Sequence, residues 1–297
     1  LAYSSHGMMR FFGKFPPPIS RYLLTKFLKE KDVVLDPMGG SGTTAVESLL
    51  LDKYCHTYDL NPLMVLLQKV KITKIDINEI DKYKNWIIKK YKPKDYKVLN
   101  YIKPTLKNID HWFLKETLES LFGIRDLIEQ IKPKKIKNFF LINLLSVVRR
   151  VSKATTQQGR LFLDIETAQK DALSFFLKKI ETNKVIISKL KNNKKIIVKN
   201  EDAFNLSSNK NRYKLIILHP PYFNSYKYSS VNSLEAFVMG IDVDEFRKQE
   251  VREFFKVGKA ENHKKYVEDM TNIINHSYKI LKKNGYLAIM FGDAFIK

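Results

Sequence analysis

The chain has 297 residues, 44% hydrophobic and 12% aromatic, which excludes a disordered tail and leaves room for one large α/β domain or two ordinary ones. Lysine and arginine number 53 against 31 aspartate and glutamate, a formal charge of +22, so a polyanionic partner is expected. The single cysteine, Cys55, excludes a disulfide framework and a multi-cysteine metal site; no metal is expected. With no run of about 18 uncharged apolar residues and no signal-peptide layout, the expected location is cytoplasmic, away from membranes.

In chain order, Asp32 to Pro37 reads as a short apolar strand that ends on an acidic residue and enters the Gly-rich stretch Asp36-Pro37-Met38-Gly39-Gly40-Ser41-Gly42-Thr43-Thr44. Apolar periodicity resumes at Ala45, Leu49 and Leu50, so the pattern is strand, loop, helix. Glycines at such a handover let backbone approach a ligand, and the helix start offers free N–H groups. A phosphate-binding loop would need Lys after its last Gly, and Thr43 stands there instead.

Tyr54 to Tyr58 fits a second strand ending at Asp59, with Asn61-Pro62 as the following turn. Asp59 lies 23 residues after Asp36, close to the offset at which an acidic side chain accepts hydrogen bonds from a ribose, although an Asx turn would also explain it. Beyond residue 64 the periodicity turns helical, with expected helices over Asn78–Lys90, Trp112–Ile131, Ile136–Val151 and Thr167–Leu190. Residues 65–200 carry 31 basic and 13 acidic side chains, leaving a net charge of only +4 for the rest of the chain. A basic block of that kind suits nucleic acid, where Lys and Arg displace condensed counterions.

Strand character returns at residues 195–198, 215–218 and 286–290. All five β-rich runs are short and nearly all apolar, as in a parallel sheet covered on both faces, so the expected class is α/β with a doubly wound sheet. The expected division is a catalytic domain of residues 1–64 and 195–297 around a basic helical insertion, 65–194. The ends, Leu1 and a Lys297 close behind an apolar run, read as those of a trimmed chain.

The most specific pattern is His219-Pro220-Pro221-Tyr222 after the fourth apolar run. Two prolines stop the ladder, remove two N–H donors and stiffen the backbone at a strand's carboxyl end. A rigid acceptor beside a flat ring suits a planar heterocycle bearing an amino group.

These motifs together resemble the amino-methylating DNA methyltransferases, which act on N4 of cytosine or N6 of adenine. The family's Asp-Pro-Phe-x-Gly-Ser-Gly-Thr-Thr loop is similar to Asp36–Thr44, and its Asp/Asn/Ser-Pro-Pro-Tyr to His219–Tyr222. The segment His6 to Pro18 resembles the element that closes over the methionine end of the cofactor. The resemblance covers residues 6–64 and 195–293, and departs from the family at His219, which leaves the methylated base open, and at the missing last two strands.

The resemblance implies a Rossmann-like methyltransferase fold and S-adenosyl-L-methionine as cofactor. It further implies that Lys14, Phe15, Pro16, Asp36, Met38, Gly39, Gly40, Gly42, Thr43, Thr44, Asp59, Asn61, Asp202, Ala203 and Phe204 form the cofactor site. The reaction implied is methyl transfer to an exocyclic amine of a base flipped from double-stranded DNA, N4 of cytosine ahead of N6 of adenine. His219 and the Pro220 carbonyl would accept the amino hydrogens, with Pro221 stiffening the turn and Tyr222 stacking on the base. Arg149, Arg150, Lys153, Gln157, Gln158 and Arg160, in and beside an expected exposed loop, are candidates for DNA contact. A cognate restriction endonuclease is a conceivable partner. Two other readings stand beside this one: an RNA amino-methyltransferase, and a nucleic-acid-binding module with an inactive site. A carbon-5 cytosine enzyme would need a Pro-Cys nucleophile, whereas Cys55 follows Tyr54.

Overall fold

The short β-branched and apolar runs of the sequence form the centre of the protein in a computed structural model that describes residues 3–100, 106–155, 161–164, 170–193, 195–205, 212–222, 228–244, 251 and 260–291. Strands β1 (Val33–Asp36), β2 (Tyr54–Asp59), β3 (Ile196–Asn200), β4 (Tyr213–Leu218) and β5 (Leu281–Ile289) make a five-stranded sheet in the order β3-β2-β1-β4-β5. All four strand pairings are parallel. The register sets Asp36 beside Thr57 and Asp59 beside Asn200, so the carboxyl ends of β1, β2 and β3 share one edge. A doubly wound Rossmann-like sheet is therefore present, as the apolar runs predict.

Helices occur in the order α1 (Pro17–Phe27), α2 (Thr43–Leu50), α3 (Pro62–Lys71), α4 (Ile77–Lys90), α5 (Ile109–Trp112), α6 (Lys115–Glu129), α7 (Lys134–Val151), α8 (Ala172–Ser188), α9 (Tyr228–Val231), α10 (Ser233–Met239) and α11 (Ala260–Ile280). Their starts follow local chemistry. Prolines occupy the first turn of α1 and α3, where a missing N–H costs nothing. The side chains of Asn61, Asp76 and Asp171 accept from the backbone N–H two residues on, capping α3, α4 and α8. The helix expected over residues 112–131 is instead two pieces: α5 stops at Trp112, the chain is extended at Phe113 and Leu114, and α6 begins at Lys115. Phe113 is buried there, so packing of that side chain overrides continuous helical periodicity.

The helical block shares its core with the sheet. Phe122, Phe139, Phe140, Leu144 and Phe176 belong to one buried cluster with Val34, Cys55, Leu215 and Ile217 from the strands. A smaller cluster, Leu35, Tyr58, Tyr213, Ile216 and Ile280, covers another part of the sheet. Burial of this many large apolar side chains, each contributing about 1.5–3 kcal/mol, holds the helices against the sheet. Among the described residues no helix is long and apolar enough to cross a membrane.

Candidate functional site

Strand order decides where a ligand can sit. The chain runs outward from β1 to β2 and β3, then returns to the other side of β1 as β4, so β1 and β4 flank the point where the winding reverses. Loops leaving their carboxyl ends part there and open a crevice. The loop after β1 is the Gly-rich stretch, and His219 follows β4 directly.

The Gly-rich loop is held from beneath. Asp36, at the end of β1, accepts from Met38 N at 3.2 Å and from Thr44 Oγ1 at 2.6 Å, closing the loop onto the start of α2. Gly39 N donates to Tyr58 O at 2.8 Å, and Gly42 N to Gly39 O at 2.8 Å. Gly39 is required sterically, since a Cβ there would lie 2.1 Å from Thr57 Oγ1. Gly42 sits at φ +83°, a conformation that side chains rarely adopt. Behind the loop, Gln68 Nε2 donates to Gly40 O at 3.1 Å and Lys71 Nζ to Ser41 O at 2.7 Å.

Asp59 ends β2 and faces the same loop. Its Oδ2 accepts from Gly40 N at 2.7 Å and its Oδ1 from Asn61 N at 2.8 Å, so the carboxylate ties two loops together. Each oxygen retains a further lone pair for a ligand hydroxyl. Burial pushes its pKa up to about 6 against the pull of those two backbone donors. Asp36 is pushed up to about 7, by burial first and also by the charge of Asp59, while its bonds to Thr44 and Met38 oppose the rise. Asp202, after β3, is also raised by burial; its Oδ1 accepts from Phe204 N at 2.9 Å.

These groups open onto one cleft at the carboxyl ends of the strands. Of the residues expected to bind a cofactor, Lys14, Phe15, Met38, Gly39, Gly40, Thr43, Asp59, Asn61, Asp202 and Ala203 line it. Asp36 and Thr44 lie buried under the loop and support it. Gly42 turns the chain into α2, and Phe204 packs with Ala203, Leu218 and Met270. Pro16 lines a neighbouring cleft. Sequence reasoning missed Phe11, Gly13, Ser41, Leu60, Met64, Asn232 and Val251, which also face the main cleft. Asn232 precedes α10 in a stretch without a motif, and nothing in the sequence pointed to it.

His219 stands where the two clefts meet, lining both. Its Nε2 is 2.9 Å from Tyr222 Oη, with the two rings at 86°, and Phe15 meets its other side at 5.3 Å between centroids. Burial lowers its pKa, favouring the neutral ring. Pro221 lines the main cleft, Tyr222 the neighbouring one, and Pro220 is buried. Leu218 O accepts from Met290 N and Pro221 O from Tyr266 Oη, both at 2.9 Å, which fixes the backbone on either side of Pro220. Cys55 is buried inside β2, where burial pushes its thiol up, and it does not line the cleft.

The candidate DNA-contact residues fare unequally. Arg150 is exposed, its guanidinium 4.6 Å from the Phe175 ring centroid, and Lys153 donates to Asp110 O at 2.7 Å. Arg149 is only 9% exposed: Nε donates to Thr155 O at 3.0 Å and the guanidinium lies 5.4 Å from the centroid of Phe12. That inward position does not offer it to DNA. Gln157, Gln158 and Arg160 lie outside the described residues.

The proteins this chain resembles are DNA methyltransferases. Residues 2–69 match the family described as DNA methylase, whose members include N6 and N4 methyltransferases. The type II methyltransferase M.MvaI of Kocuria varians is 24% identical over 81% of this chain and 58% of its own length. M.BsoBI of Geobacillus stearothermophilus, also a type II methyltransferase, is 24% identical over 82% of this chain and 54% of its own. A third type II methyltransferase, M.MjaII of Methanocaldococcus jannaschii, is 34% identical over 26% of this chain and 14% of its own. The chain thus spans at most about three-fifths of the length of these relatives.

Proposed function

We propose that the chain is an amino-methylating DNA methyltransferase that transfers a methyl group from S-adenosyl-L-methionine to an exocyclic amino nitrogen of a base in double-stranded DNA, a reading supported by the matched DNA methylase family and the type II methyltransferase relatives. The observation that carries this reading is the single cleft in which the Gly39–Gly40 loop and Asp59 face His219 and Pro221. One wall is suited to a nucleoside and the other to an amine.

The residues present fit the cofactor. Asp59 keeps acceptor capacity for ribose hydroxyls, and Gly40, where a Cβ would point toward cleft-lining Phe11, would leave the backbone open to the cofactor. Asp202 and Ala203 would lie toward the adenine and Lys14 and Phe15 toward the methionine end, since all four line the cleft. The sulfonium supplies an electrophilic methyl group.

An exocyclic amine is a weak nucleophile because its lone pair is delocalised into the ring, so the protein must hold it out of that conjugation and in line. Pro220 O, on a backbone fixed from both sides, and the neutral His219 ring would accept the amino hydrogens, and Tyr222 would stack on the flipped base. N4 of cytosine is placed ahead of N6 of adenine. The basic helical block, residues 65–194, would serve as the target-recognition region, with Arg150, Lys153, Gln157, Gln158 and Arg160 toward DNA and a restriction endonuclease as functional counterpart.

The test is transfer of labelled methyl from the cofactor to DNA and, in parallel, to tRNA, followed by mapping of the modified base against a His219→Ala control. Label on DNA as N4-methylcytosine or N6-methyladenine supports the proposal. Label on tRNA alone, or no transfer together with no cofactor binding, overturns it.

A further inference from the structure

Two consecutive prolines leave the turn after β4 without donors of its own. Neither Pro220 nor Pro221 has an N–H, and each ring holds its own φ, so the rotations left are ψ at His219, Pro220 and Pro221 and φ at His219. The Pro220 carbonyl keeps one direction only if the peptides on both sides of it are held from outside the turn. On the near side Met290 N, directly after β5, donates to Leu218 O at 2.9 Å. On the far side the anchor is a side chain: Tyr266 Oη, from 45 positions further along the chain, donates to Pro221 O at 2.9 Å.

Tyr266 lies in the second turn of α11 and is only 9% exposed. It belongs to a buried cluster with Ala203, Leu218, Val251, Met270 and Ile273, against which Met38 packs. Leu218 leads into the proline turn, whereas Met38, Ala203 and Val251 line the cleft. One side chain thus holds the proline turn by its hydroxyl while its ring fills a cluster that reaches the opposite wall.

We infer that Tyr266 is a positioning residue for methyl transfer: by holding Pro221 O it sets the direction of the neighbouring Pro220 carbonyl, and with it the alignment of the amine on the methyl group. The inference rests on the function proposed above. Reaction between two bound partners depends steeply on alignment, and a misplacement of about 1 Å costs on the order of a hundredfold in rate. Removing the hydroxyl alone frees ψ at Pro221 and leaves the apolar cluster beside the cofactor wall filled. Binding and chemistry should then part company, the mark of an interaction that matters in the transition state. In a merely structural role, stability, cofactor affinity and rate would fall together.

The experiment uses Tyr266→Phe in the full chain. Three quantities are measured: single-turnover transfer of labelled methyl, at saturating S-adenosyl-L-methionine, to duplex DNA that the wild-type protein methylates; S-adenosylhomocysteine affinity by calorimetry; and urea unfolding. The rate should fall by about tenfold to a hundredfold, with the affinity for S-adenosylhomocysteine close to that of the wild type. Should Tyr266→Phe fail to fold, Tyr266→Met, apolar and long enough to fill the same space, takes its place in the same comparison. Failure of both to fold would assign Tyr266 to stability alone and overturn the inference. An unchanged rate in a folded variant, or one that falls only in proportion to a loss of S-adenosylhomocysteine affinity, also overturns it and leaves the proposed function standing. If the wild-type protein transfers no methyl group to DNA, the function itself falls and the inference with it.

Discussion

His219 and Tyr222 are joined side chain to side chain: Nε2 and Oη are 2.9 Å apart and the rings are nearly perpendicular. The pair fixes the imidazole at the mouth of the turn that Pro220 and Pro221 stiffen. Burial disfavours the imidazolium, so the pKa of His219 lies below its ordinary value. A neutral ring is needed to accept an amino hydrogen. Single-turnover methylation should consequently survive below the usual histidine range of about 6.5 and fall only at more acid pH. An acid limb centred at or above that value would show that His219 is not the acceptor. His219→Ala should lower the rate of the chemical step by on the order of a hundredfold, the usual scale for a lost positioned polar group.

Gly39→Ala should disable the loop. The added methyl would meet Thr57 Oγ1 at 2.1 Å and both polar atoms of the Gln68 side chain at 2.8 Å. Those two side chains are themselves hydrogen-bonded, Thr57 Oγ1 donating to Gln68 Oε1 at 2.7 Å, so neither can withdraw without leaving a buried polar group unmatched. The expected outcome is a loss of about 1–3 kcal/mol in urea unfolding, typical of overpacking, together with at least tenfold weaker binding of S-adenosylhomocysteine. Unchanged stability and affinity would mean that the loop has a second conformation at little cost.

Asp59 links affinity to pH. Its carboxylate is at about 6 in the folded chain, raised by burial. Protonation removes acceptor capacity from the oxygens that hold Gly40 N and Asn61 N and that face the cleft. Cofactor-analogue affinity should be constant above about pH 7 and weaken as pH falls through the value of Asp59. In Asp59→Asn the affinity should be lower throughout and its pH dependence flatter, measured by calorimetry from pH 5 to 8. A wild-type affinity that rises toward acid would place the ligand elsewhere in the cleft.

Much of this arrangement was legible in the sequence because it is built from local features. Gly42 at positive φ, Asn61 capping α3 before Pro62, and the proline pair after β4 are each dictated within a few residues. The apolar runs marked the strands most directly at β1 and β4, which are buried almost throughout and so read as continuous apolar sequence, whereas the edge strands β3 and β5 are largely half-buried or exposed. What stayed hidden depends on tertiary placement. Arg149 reads as a loop-side basic residue, and only the approach of Phe12, 137 positions earlier, turns it inward. Helix α11 begins at Ala260, in a stretch for which the sequence reading names no element. Lys71 carries no sequence signal that sets it apart from the other basic residues of 65–200.

Lys71 is in fact 1% exposed. It donates to Ser41 O at 2.7 Å and to His6 O at 3.4 Å, and among the described residues it pairs with no carboxylate. It therefore ties the N-terminal segment to the back of the Gly-rich loop. Burial, with a smaller contribution from the charge of Lys14, lowers its pKa to about 7. Below that value both folded and unfolded chains carry the proton; between about 7 and the ordinary lysine value of about 10.4 the unfolded chain holds more. The contribution of Lys71 to stability should therefore rise with pH across that window, by up to about 1.4 kcal/mol per unit. Lys71→Met removes the titration but strands the Ser41 carbonyl. It should be less stable than wild type at pH 9, less disadvantaged at pH 7, and weaker in binding S-adenosylhomocysteine at both. Urea unfolding of the two proteins at matched pH measures the difference, and a gap that narrows toward alkali would mean that Lys71 is buried with its charge fully compensated.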